Sequence, residues 1–129
     1  MIGPPSKMEK DEDFLRVFFE EEGQHIVCGG TTAKFVANYL GEEVVTIKGS
    51  ETDAVPAMSA LKGVDMVTEC YLTLKQLVTY STRWLSDSMA VISISKQKDA
   101  AAKLAVELFE RSSEINIFFG NARNPAYKE

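Results

Sequence analysis

The sequence predicts an α/β domain: a small, mostly parallel sheet of about four strands with helices on both faces, a Rossmann-like three-layer arrangement. Three observations carry this. Short apolar, β-branched runs at 25–28, 44–47, 64–68 and 115–119 alternate with longer stretches of helical periodicity. The first run is followed at once by a double-glycine turn and a helical stripe, the start of a β-α-β unit. At 129 residues the chain is long enough for one domain whose core needs neither a metal nor a disulfide.

The elements follow in order. Residues 1–10, with a glycine, two prolines and several charges, read as a linker or arm, and 11–129 as a single α/β domain cut from a longer chain. From Asp11 to Glu22 the spacing of Phe14, Leu15, Phe18 and Phe19 predicts a helix, with Asp11 and Asp13 at its positive end and Gly23 as its stop. The run Glu20-Glu21-Glu22 reads as a solvated face. His25-Ile26-Val27-Cys28 is a buried strand. Gly29-Gly30-Thr31-Thr32 is a tight turn leading into a threonine-capped helix with Ala33, Val36, Ala37 and Leu40 on one stripe, closed by Gly41.

Val44–Ile47 is a second strand, 49–63 a long loop with little regular structure, and Val64–Thr68 a third strand. Thr73 and Gln76 stand at capping-box spacing before Leu77, Val78 and Leu85. Residues 86–98 support two readings: an edge strand through Val91, Ile92 and Ile94, or an exposed connection. Asp99 caps a helix carrying Ala101, Leu104, Ala105 and Leu108, with a supporting Glu107–Arg111 pair. Ile115–Phe119 alternates and reads as the fourth strand, ended by Gly120.

Composition excludes several functions. Fourteen basic residues against nineteen acidic give a net charge of −5, the wrong sign for a sequence-independent nucleic-acid binder. His25 is the single histidine, so a multi-histidine metal site is excluded, and no metal or cofactor is expected. No apolar run reaches the ~20 residues of a membrane span, and the N-terminus lacks the order of a signal peptide, which predicts a cytoplasmic location. Cys28 and Cys70 form no CxxC pair and read as small apolar residues.

In parallel sheets, ligands collect beyond the carboxyl ends of the strands. Three loops follow predicted strands: Gly29-Gly30-Thr31-Thr32, Thr68-Glu69, and Asn121-Ala122-Arg123-Asn124. In the first, glycines admit a ligand to the backbone, and free amides at the helix start favour an anion. Arg123 would clamp that anion, with Asn121 and Asn124 beside it. The expected ligand-binding set is thus Gly29, Gly30, Thr31, Thr32, Thr68, Glu69, Asn121, Arg123 and Asn124. Read as a tight turn with a cap, the first loop needs no ligand at all. Catalysis has thin support. His25 and Cys28 face opposite sides of a strand, and Thr31 or Thr32 has only Glu69 as a candidate base.

Five blocks in order, Ile2-Gly3-Pro4-Pro5, Val27-Cys28-Gly29-Gly30-Thr31-Thr32-Ala33, Gly63-Val64-Asp65-Met66-Val67-Thr68-Glu69, Leu72-Thr73-Leu74 and Phe119-Gly120-Asn121-Ala122-Arg123-Asn124-Pro125-Ala126, resemble the region C-terminal to the catalytic domain of bacterial SpoIIE-like, PPM-type serine/threonine phosphatases. Cys70 departs from that pattern, which has glycine after Thr-Glu, and 86–98 match none of it. Such phosphatases bind metal through aspartates that include Asp-Gly pairs, and this chain has no Asp-Gly pair. The resemblance therefore implies a non-catalytic regulatory or ligand-sensing domain, partnered by a preceding phosphatase domain and a small anionic ligand. The alternatives are a structural or homodimerising domain using helix 11–22, and a small enzyme acting on a phosphorylated or carboxylated metabolite.

Overall fold

A computed structural model describes residues 1–3 and 11–120. The elements are α1 (Asp11–Glu20), β1 (Ile26–Cys28), α2 (Gly30–Leu40), β2 (Val45–Thr46), β3 (Ser59–Leu61), β4 (Val64–Thr68), α3 (Tyr71–Ser86), α4 (Ser88–Ser95) and α5 (Ala100–Val106), the last running into a π-helical turn at Glu107–Arg111. The α/β class holds, but the sheet is mixed. In the order β1-β4-β3-β2, only β1 and β4 pair in parallel, with Cys28 opposite Thr68. β3 runs antiparallel to both β4 and β2.

The expectation of a mostly parallel sheet fails at 49–63, where β3 was read as loop. Leu61 pairs with Val64, so Lys62 and Gly63 alone make the reversal. Gly63 has φ +95°, a conformation natural to glycine in a two-residue hairpin turn. The hairpin costs little loop closure and fixes β3 against β4 before any crossover helix is needed.

The fourth predicted strand also differs. Of 115–119 only Phe119 enters a bridge, parallel to Ile2, which is itself bridged in parallel to Cys28. Met1–Gly3 takes the place beside β1: the Cys28 amide donates to Met1 O (2.9 Å), Ile2 to Phe118 O (2.8 Å) and Gly120 to Ile2 O (2.9 Å). Ile115 and Ile117 stay exposed. Residues 88–95 are helical despite their β-branched content. The Asp87 carboxylate accepts from Met89 N at 2.9 Å, and Ala90 and Ile94, four apart, are buried together.

Two apolar cores result. The first joins α1 and α2 to one face of the sheet: Leu15, Phe18, Ala33, Val36, Ala37, Val27, Leu61 and Val67. Phe118 closes it, edge-on to Phe14 and Phe18 at 6.0 and 5.4 Å. The second is built by α3, α4 and α5 around Tyr80, Ala90, Ile94 and Ala100–Ala102, with Val55 and Met58 from the loop before β3. Asp99 is buried there. One carboxylate oxygen caps α5 at Ala102 N (2.9 Å) and the other accepts from the Tyr80 hydroxyl (2.9 Å).

Candidate functional site

The parallel pair β1–β4 places two of the three predicted loops side by side. Gly29 N donates to Thr68 O at 2.7 Å, so the glycine turn and the Thr68-Glu69 loop leave the sheet as neighbours. Asn121, Arg123 and Asn124 lie outside the described residues. The residue before them, Gly120, reaches the same end of the sheet through Ile2.

Gly29 has φ +113° and precedes the first residue of α2, so the turn is tight because no side chain is there to resist it. A Cβ at this position would stand 3.2 Å from Thr32 Oγ1 and 3.6 Å from Cys70 Cβ. The expected threonine cap is absent: no side chain caps α2. Thr32 is buried instead, and its hydroxyl accepts from Gly3 N at 3.1 Å, fastening the N-terminal residues to the helix. Gly30 and Thr31 are exposed. The N–H groups of Gly30, Thr31 and Thr32 have no acceptor among the described residues. They are three of the orphan donors that every helix start leaves.

Glu69 has a different task from the one predicted. Its carboxylate accepts from the backbone of Tyr71 (2.7 Å), Leu72 (2.9 Å) and Thr73 (3.2 Å), and so neutralises the start of α3 from within the chain. The helix therefore begins two residues before Thr73, and the Thr73–Gln76 capping box does not form. A carboxylate so engaged is no base for Thr31 or Thr32, and the enzyme alternative gains no geometry from it.

Thr68 and Thr73 flank Glu69, and each is at most 2% exposed with a hydroxyl that has no partner among the described residues. Buried hydroxyls of this kind cost free energy and call for an explanation. Cys70 sits at the same corner. Burial pushes its thiol up from the ordinary value, and the nearby Cys28 and Glu69 push it further. The thiol is the resting form at neutral pH.

The sequence reading missed Gly3 as part of this corner. A Cβ on it would fall 2.8 Å from Gly120 O, and its φ is +79°. The Gly3-Pro4 pair within the first resemblance block was the available signal. Helix α1, proposed as a dimer surface, spends its aromatic face on its own core: Phe18 is 5% exposed, and Phe14 and Phe19 pack against the same cluster.

The described residues thus define a small α/β domain with a mixed four-stranded sheet and an amide-rich corner at the carboxyl ends of its parallel pair. No helix among them is long and apolar enough to cross a membrane. No known family, curated protein or solved structure matches the chain.

Proposed function

We propose that the chain is a non-catalytic ligand-sensing domain, regulatory to a phosphatase of the SpoIIE-like type, and that its ligand presents an anionic group to the first turn of α2. The observation that supports this reading is the set of three unengaged amides at Gly30, Thr31 and Thr32, at the carboxyl end of β1 and beside the Thr68 loop. Glu69 is engaged by the start of α3, and Gly30 and Thr31 are the exposed members of the glycine turn. In this reading α3–α5 form the second covering layer of the sheet.

Titration with inorganic phosphate, followed by backbone amide NMR, tests it. Saturable shifts at Gly30, Thr31 and Thr32 are expected. Gly30→Pro removes one donor at a first-turn position that accepts proline, so the fold should persist while the phosphate affinity falls. Shifts that stay linear in phosphate, or saturation unchanged in Gly30→Pro, would sink the reading.

A further inference from the structure

The two cores do not meet. Residues alternate across a strand, so Ile26 and Cys28 face away from Val27 and the first core. Cys28 on that face and Leu104 on α5 are buried, yet neither belongs to either core cluster. Between them lies a cleft of about 930 Å³, walled by Ile26 and Cys28, by Leu74 and Leu77 of α3, and by Leu104 and Leu108 at the end of α5. Protein interiors are close-packed, and an open cleft of this volume, walled by buried Cys28 and Leu104 and by half-buried Ile26, Leu74, Leu77 and Leu108, falls in the size range of small-molecule sites.

The lining of the cleft is mainly acidic, its cations being Arg111 and the Met1 ammonium, which donates to Ile26 O at 2.6 Å. Glu20, Glu21, Glu22 and Glu114 line the mouth, none of them in an ion pair among the described residues. The arginine on the wall, Arg111, is held by Glu107 at 2.8 Å. His25 Nε2 lies 3.0 Å from Phe18 O. We infer that this cleft is a binding site for a small amphiphile with an apolar body and a cationic head: a lipophilic amine or quaternary ammonium. The body would lie among the leucines, and the head would meet the glutamates at the mouth. The inference uses none of the amides at the start of α2, so it stands or falls apart from the anion site.

The experiment is calorimetric titration of the full chain with decyltrimethylammonium below its micelle concentration, alongside decyl sulfate as the anionic twin. Saturable one-to-one binding of the cation is expected, with the sulfate weaker by about tenfold or more. Leu108→Trp fills the cleft and should cut cation binding about tenfold. Leu74→Trp fills it from the opposite wall and replaces the first variant if that one loses its far-UV circular dichroism. The triple change Glu20→Gln, Glu21→Gln, Glu22→Gln should weaken the cation about tenfold and bring the two amphiphiles together. Equal affinity for both amphiphiles in the unmodified chain, absence of saturation, or indifference to both filling variants would overturn the inference.

Discussion

The two faces of the sheet are built to different standards. On one, α1 and α2 press Leu15, Phe18, Val36 and Ala37 onto Val27 and Val67 of the sheet itself. On the other, α3 and α5 lean mainly on each other, and Leu74 and Leu108 look across a gap at Ile26. The same strand serves both. Its inward alternation therefore cannot explain the difference; what lies opposite does. A face that is filled carries stability, and a face left open carries capacity.

The sharpest way to expose this contrast is to truncate one leucine on each side. Leu15→Ala should cost about 3 kcal/mol by urea unfolding, because the side chain is 1% exposed and its removal leaves a cavity in the first core. Leu74→Ala, at the gap, should cost under about 1 kcal/mol. Equal losses would show that both faces are packed alike.

Next in size is Asp99, which anchors the helical side. Asp99→Ala strips the cap from α5 and strands the buried Tyr80 hydroxyl, at about 2–3 kcal/mol. Burial, and after it the Asp99 bond, raise Tyr80 above its ordinary value of 10.0. The folded state thus favours neutral Tyr80. That contribution is complete below about pH 10 and is lost as pH rises through the folded value. Unfolding followed between pH 9 and about 11 should show the loss in the parent chain and a smaller one in Tyr80→Phe.

Glu69→Ala should cost about 1–2 kcal/mol by freeing three amides of α3. It should leave the phosphate shifts at Gly30 and Thr31 in place. Their disappearance would return Glu69 to the ligand set.

The smallest effect concerns the corner's chemistry. Because burial raises the Cys70 thiol above its ordinary value of 9.0, its alkylation by iodoacetamide should be slower at pH 8 than that of a free thiol. The rate should still be climbing past pH 9. A plateau below pH 9 would contradict the desolvated setting.

Much of this was readable in the chain, and the gaps have physical causes. The glycine turn between Cys28 and Ala33 was legible because a positive-φ glycine before a helical stripe has few alternatives. Strand β3 was not: Ser59-Ala60-Leu61 has weak strand preference, and it is pinned by the Lys62-Gly63 turn and by its pairing with β4 and β2. Without it, a mixed sheet reads as a mostly parallel one. Helix α4 was hidden because Val91, Ile92 and Ile94 favour strands locally, while the Asp87 cap and the burial of Ala90 with Ile94 decide the matter. Of the candidate site, the adjacency of the glycine turn and the Thr68 loop was legible from strand polarity. That Glu69 and Thr32 are engaged within the chain was not, since a side chain's choice between a ligand and its own backbone depends on distances.

The π-helical turn at Glu107–Arg111 gives the domain an adjustable part. A helix advances about 100° per residue, so a π turn is one residue away from regularity. Deleting a single residue there would rewind the segment to α-helical pitch, bring Glu107 and Arg111 to i, i+3 spacing and shift the wall that Leu108 supplies. Length variation at this one point would retune the cavity's shape while the sheet and its neighbours kept their addresses.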